Sequence, residues 1–335
     1  MSIAPLQSTP NPTSGAMPVA TLVTCSFSGD LELCRLLCES VDRFVPDSIE
    51  HVLYVPAQDE PLFAEFATGR RSVRTQEALL PRWFWKLPMP GPGWRRRLHL
   101  PRRNVYLTPY SLPVRGWIAQ QIMKIAATVQ SKTDVAVHVD SDNAFIRPLT
   151  AELLTQGGRI RLYRNPDMVD EAMHRTWHLA AGRLLGIGSS DYHGAEYIDQ
   201  IVVWKRSVLL AMIERIASVS GTDWRIALAR SPQFAEYILY GVFADKVLGL
   251  DKAGLFADSR SLCASRWSNA IEDDADATAF IESIAPHHAA CLVQSTIAMT
   301  PERRKDIFER ATAFAAHQDA TACETQAPVC HSIVS

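Results

Sequence analysis

The chain has 335 residues, 47% hydrophobic and 21% charged, with a formal net charge of −2. This balance suits a soluble globular protein of one large domain or two small ones, and its near-neutral charge argues against a nucleic-acid partner. Seven cysteines, an odd number with no CxxC spacing, point away from a disulfide framework or a zinc ribbon and towards a reduced, cytoplasmic setting. No apolar run approaches the roughly 20 residues that span a bilayer.

Residues 1–18, MSIAPLQSTPNPTSGAMP, lack a basic n-region and an apolar h-region. They read as a disordered lead-in rather than a secretory signal. VATLVTCSFSGD (19–30) reads as a buried strand ending in a Ser/Gly/Asp turn. Residues 31–44 carry Leu33, Leu36, Leu37, Val41 and Phe44 at helical spacing, with Asp30 as N-cap. HVLYVP (51–56) is a second strand, PLFAEFA a short helix and RSVRTQEALL a weaker third strand. Strand–helix–strand order argues for a mostly parallel α/β sheet flanked by helices.

Residues 81–113 hold seven prolines and read as irregular. An amphipathic helix follows over 114–130, with Ile118, Ile122, Ile125 and Ala126 as its apolar stripe. The strand DVAVHV (134–139) comes next. Further strands are expected at 159–163, 198–204 and 289–295, and helices near 172–186, 207–218 and 232–247. Periodicity fades after 318, so the tail is expected to fray.

The strand at 134–139 ends abruptly in Asp140-Ser141-Asp142. Open parallel sheets bind ligands at the carboxyl ends of their strands. Two carboxylates there suit Mg²⁺ or Mn²⁺ bridging a diphosphate. The plainer alternative is turn chemistry, for which Asp-Ser-Asp-Asn is well suited. A second Asp-x-Asp, Asp274-Ala275-Asp276, has no β-rich run before it and reads as a solvated helix start or loop.

This segment resembles the DxD region of GT-A-fold glycosyltransferases, and TLVTCSFSGDLELCRLLCESVDRFVP and RGWIAQQIMKIAA resemble that fold's first strand–loop–helix and its pre-DxD helix. The closest likeness is to a bacterial, largely uncharacterised GT-A-like family, over about residues 19–300. It implies a single large GT-A-like, Rossmann-like domain (19–317), with a donor-binding half (19–150) and an acceptor half (151–317). It also implies a nucleotide-diphosphate sugar donor and a divalent cation on Asp140 and Asp142. The nucleoside would lie on the loop Thr24–Asp30, through Thr24, Ser26, Ser28 and Asp30. A late histidine often completes such a metal site; His287 and His288 are available, His288 being nearer the strand, although a polar strand cap is the commoner role. Arg115, Gln121 and Lys124 flank the pre-DxD helix, either offsetting diphosphate charge or simply facing solvent.

An inverting transfer needs a base for the acceptor hydroxyl. Glu236, among Phe234, Tyr237, Ile238 and Tyr240, is one candidate, and Asp191 is another. Each could equally be a surface carboxylate. Between Glu77 and Asp134 no acidic residue occurs, while arginines and tryptophans cluster at 82–103. That stretch suits an anionic membrane surface near a lipid-linked acceptor, or an insertion folded onto the core. The reading is a cytoplasmic or membrane-peripheral glycosyltransferase for a glycan or lipid-linked acceptor in cell-surface polysaccharide or glycolipid synthesis. The alternatives are a nucleotidyltransferase of related topology, for which SFSGD lacks a Lys-containing phosphate loop, and a non-catalytic binding protein.

Overall fold

The structure, a computed structural model, describes residues 19–88, 97, 104–168 and 172–326. Five strands make the central sheet, in the order Ile201–Lys205, Val135–Val139, Ala20–Cys25, Glu50–Val55, Arg71–Thr75. The last four run parallel, and Ile201–Lys205 runs antiparallel beside Val135–Val139. Helices cover both faces, so the inner strands are apolar on both sides and read as unbroken runs rather than as alternation. Every residue of Ala20–Cys25 and Val135–Val139 is buried. The result is a mixed α/β domain with a mostly parallel sheet, in agreement with the sequence.

Chain order creates a switch point. From Ala20–Cys25 the chain passes through the helix Leu31–Phe44 to Glu50–Val55 and on to Arg71–Thr75. It then returns through the helix Gly116–Gln130 to Val135–Val139, on the other side of Ala20–Cys25. Connections that leave neighbouring strands in opposite directions open a crevice at their carboxyl ends. Ser26–Asp30 and Asp140–Asp142 therefore face each other across it.

A second sheet joins Asn143–Phe145, just after the Asp-Ser-Asp, to Ala290–Val293 and Cys263–Arg266. Ala290–Val293 lies within the strand expected at 289–295, whereas Asn143–Phe145 and Cys263–Arg266, of three and four residues, are too short to stand out in sequence. The same shortness hid a sheet within 81–113. Trp85–Lys86 and Val105–Leu107 pair antiparallel, and Val114–Arg115 completes the sheet. Phe84 and Tyr106 are buried, with ring centroids 6.4 Å apart, edge to face. The described part of this insertion is folded onto the core. Trp94, Arg95, Arg96, Arg102 and Arg103, which carried the membrane expectation, lie outside the described residues.

The helix expected at 232–247 begins at Glu236 and passes at Phe243 into a π-helical turn ending at Leu248. Gly241 is needed within it, because an added Cβ would lie 2.2 Å from the Tyr197 ring. The second Asp-x-Asp opens the helix Asp274–Glu282, where Asp273 accepts the Asp276 N–H at 2.9 Å. Among the described residues no helix is long and apolar enough to cross a membrane.

The frayed tail expected after 318 is instead helical as far as Gln326, within Pro301–Gln326. The anchor is Arg147, a buried residue far away in sequence. Its guanidinium donates to Asp319 at 3.0 Å, to Gln318 Oε1 at 2.6 Å and to the carbonyl of His288 at 2.9 Å. Arg147→Ala should cost about 2 kcal/mol, chiefly because the carbonyls of His288 and Ala315 lose their donor, while Asp319 is half exposed. Native-state hydrogen exchange should then show the amides around Gln318 losing protection before the sheet does. Uniform loss across the molecule would count against a local anchor.

Candidate active site

A cavity of about 700 Å³ opens at the switch point, a volume ordinary for a ligand pocket. Its floor follows the edge of the sheet. Gln76, Gln58, Ser26, Asp140 and Asp199 lie in turn at the ends of the five strands. Four inter-strand steps of about 4.8 Å give the floor a span of about 19 Å.

Asp140 and Asp142 both line this cavity, as expected from the strand that delivers them. Asp142 is buried and accepts the Ser295 N–H at 2.9 Å. Burial first, and then the neighbouring charge of Asp140, push its pKa up to about 6. Asp30 joins them, its carboxylate accepting from Ser141 Oγ at 3.4 Å. Its pKa is also raised, chiefly by burial, with Asp140 adding to the effect. Three carboxylates thus crowd the switch point of the crevice, and added positive charge would relieve them.

The cation that the structure supplies comes from below. Lys124 Nζ, on a side chain only 7% exposed, lies 3.0 Å from Asp140 Oδ1 and 3.4 Å from Glu236 Oε1. It donates to Asp140 Oδ2 at 3.3 Å and to the Tyr237 hydroxyl at 2.8 Å. Burial alone would depress this ammonium, but Asp140, Tyr237 and Glu236 together hold its pKa well above the usual range. Asp140 Oδ1 is itself buried and makes no hydrogen bond. Asp140 and Asp142, two carboxylates on the cavity wall, fit a hard divalent cation that takes its remaining ligands from substrate phosphates, Asp140 keeping lone pairs beyond its ion pair with Lys124. Among the described residues no group of three His, Cys, Asp or Glu side chains converges on one point, so two carboxylates are the fit available.

The other sequence-predicted residues divide. Ser26 and Ser28 line the cavity beside Asp30, whereas Thr24 is buried under the strand with its hydroxyl 3.1 Å from His51 Nε2. The helix Gly116–Gln130 turns Gly116, Trp117, Gln120 and Met123 to the cavity, positions that share one helical face. Gln121 and Lys124 fall on the adjacent face, under Asp140, and are buried rather than facing solvent. Gln121 Oε1 accepts the Glu236 N–H at 2.9 Å. Arg115 is exposed and donates to the Pro232 carbonyl at 2.7 Å.

Glu236 is fully engaged beneath the floor rather than on the wall. Its pKa is raised by burial, an effect that Lys124 partly offsets. Asp191 lies off the cavity, 3.7 Å from Arg175. His288 does not reach the carboxylates. It lies four residues before Leu292, which pairs with Asn143, or about 13 Å along a strand. Its Nδ1 accepts the Ala285 N–H at 2.9 Å, and burial lowers its pKa to about 4. Gln294 and Ser295, at the other end of the same strand, are what the fold brings to the cavity.

Sequence reasoning missed Asp199 and Gln200. They line the cavity because their strand runs antiparallel, so its amino end shares an edge with Asp140. Asp199 accepts from Ser261 Oγ at 2.6 Å and from the Gln200 N–H at 2.8 Å. Burial raises its pKa, against the pull of those bonds. Gln200 is buried, with 8% of its surface exposed. At the far end, Asp59 accepts the Ser28 N–H at 2.8 Å, and Phe27 lies half exposed over Gly29, where an added Cβ would come within 2.3 Å of its ring.

Comparison with known structures finds mouse xyloside xylosyltransferase 1 in its apo form, at 8% identity and a TM-score of 0.44, covering 84% of this chain and 99% of that one. It also finds galactosyltransferase LgtC in complex with donor and acceptor sugar analogues, at 12% identity and a TM-score of 0.43, covering 86% and 95%. An active-site mutant of LgtC matches at 12% identity and a TM-score of 0.41, covering 86% and 94%. No curated protein matches the sequence. One family model matches, over residues 16–317, and by that match the chain belongs to a family of unknown function, DUF6492.

Proposed function

We propose that the protein transfers a sugar from a nucleoside diphosphate donor to a glycan or lipid-linked acceptor. One observation carries the proposal: an elongated polar cavity along the sheet edge, with paired carboxylates at the switch point in its middle. Its span of about 19 Å suits an extended nucleotide sugar. The nucleoside lies at the end with Phe27, Gln58 and Asp59, and the diphosphate beside Asp140 and Asp142. The transferred sugar lies at Asp199 and Gln200, where the Gln200 amide and the desolvated Asp199 carboxylate take its hydroxyls. Asp140 and Asp142 would hold Mg²⁺ or Mn²⁺, which when bound would supply positive charge to offset that of the diphosphate leaving group. Lys124 keeps Asp140 in place from below.

Thermal-shift titration with UDP and GDP, each with and without Mn²⁺, tests this reading. Ligand at a hundred times its Kd stabilises the folded state by about 2.7 kcal/mol, a rise of several degrees. A nucleoside diphosphate that stabilises only with the cation is the expected result. No stabilisation by either nucleotide overturns the proposal. Slow hydrolysis of a nucleotide sugar separates an enzyme from a non-catalytic binder. An acceptor at an anionic membrane surface is part of the same proposal, and sedimentation with phosphatidylserine vesicles checks it.

A further inference from the structure

Trp267 is 51% exposed, yet it belongs to the cavity rim. It follows the strand Cys263–Arg266, so it stands in the second sheet and off the line of strand ends along which a donor would lie. The turn that carries it is fixed. The Gln294 N–H donates to the Arg266 carbonyl at 3.0 Å, and Arg266 Nε donates to the Asn269 carbonyl at 3.2 Å. Asn269, with φ 52°, is the non-glycine residue with positive φ among those described. Backbone of that kind costs free energy and persists where its surroundings enforce it. An indole carried on a fixed turn at the mouth of a polar cavity offers a large flat apolar face with only two side-chain torsions to order on binding.

We infer that Trp267 is the platform for a pyranose ring of the acceptor, which would lay its C–H face on the indole. This rests on the glycosyl-transfer reading above and extends it to the acceptor. A pyranose fits the site better than a nucleobase does. The other exposed aromatic on the wall, Phe27, is the one flanked by Gln58 and Asp59, groups suited to a base edge. Beside Trp267 stand Gln294 and Ser295, whose side chains can take ring hydroxyls.

The test uses saturation-transfer NMR with methyl β-glucoside, methyl β-galactoside and methyl α-mannoside as probes, in the presence of UDP and Mn²⁺. Wild type is expected to transfer saturation to the ring C–H protons of at least one glycoside. Trp267→Ala should weaken that binding by roughly tenfold, in line with other stacking contacts, and Trp267→Tyr should restore most of it. Hydrolysis of the nucleotide sugar should stay within twofold of wild type in both variants, because Trp267 lies off the donor line. No signal from any glycoside with wild type overturns the inference, as does a signal unchanged in Trp267→Ala. Equal loss of donor hydrolysis in Trp267→Ala would give the indole to the donor and also overturn it. Failure of the glycosyl-transfer reading is distinct, since it appears as no cation-dependent nucleotide binding by wild type.

Discussion

Lys124→Met is expected to lower the unfolding free energy by about 3–5 kcal/mol, the usual result of removing one partner from a buried ionic cluster. The ammonium sits 3.0 Å from Asp140 and 3.4 Å from Glu236 and donates to Tyr237. Its removal leaves two carboxylates facing each other. Glu236 is buried while Asp140 is 40% exposed, so most of the penalty falls on Glu236. Adding Glu236→Gln to Lys124→Met should therefore recover a large part of the loss. Urea unfolding of both single variants and the double variant measures this coupling. Additive effects would mean that Lys124 and Glu236 do not share one cluster. Glu236→Gln alone should cost less, because Lys124 keeps Asp140 and the Gln121 contact to the backbone N–H of residue 236 is unchanged.

Asp142→Asn is expected to abolish cation-dependent nucleotide binding while making the protein more stable at neutral pH. The two effects have one cause. The folded protein holds the Asp142 proton more tightly than the unfolded chain does, because its pKa is raised from 3.8 to about 6. Between those values the native state binds more protons than the unfolded state. Stability therefore falls as pH rises through that window, and at pH 7 the ionised side chain costs about 3 kcal/mol. Asparagine keeps an oxygen to accept the Ser295 N–H and removes the charge. Its unfolding free energy should lose this slope between pH 4 and 6. Nucleoside diphosphate affinity with Mn²⁺ should fall at least about a hundredfold, the two decades that correspond to about 2.7 kcal/mol. Affinity without the cation should not change. A variant that binds UDP or GDP with Mn²⁺ as wild type does would place the site elsewhere. Asp276→Ala is the control. Asp276 accepts the Glu272 N–H at 2.9 Å at an exposed helix start, and its loss should leave nucleotide binding untouched.

Local pattern was enough for the sheet and for the position of the acidic pair. VATLVTC and VAVHV are long, unbroken apolar runs, and burial on both faces of a parallel strand requires that composition. A run that stops at Asp-Ser-Asp marks its own carboxyl end, so Asp140 and Asp142 were legible where they stand. Leu37 and Val41 in the first helix were legible for the same reason, since a helix must bury a stripe. The short strands of the insertion, and Asn143–Phe145 and Cys263–Arg266 of the second sheet, left no such trace, because two to four residues show at most two repeats of the two-residue strand period.

The tertiary structure alone decided which neighbours those residues meet. A polar side chain on an amphipathic helix looks the same in sequence whether it faces solvent or lies under a sheet. Thus Lys124 and Glu236, 112 positions apart in the chain, meet in one buried ion cluster, a juxtaposition that neither segment announces. Strand direction is likewise absent from composition. Because Ile201–Lys205 runs antiparallel, Asp199 and Gln200 reach the cavity. Because Ala290–Val293 ends rather than begins beside Asp142, the cavity receives Gln294 and Ser295, and His288 is carried about 13 Å away. Side-chain periodicity follows from local backbone geometry, whereas register and direction are fixed by contacts between segments far apart in the chain.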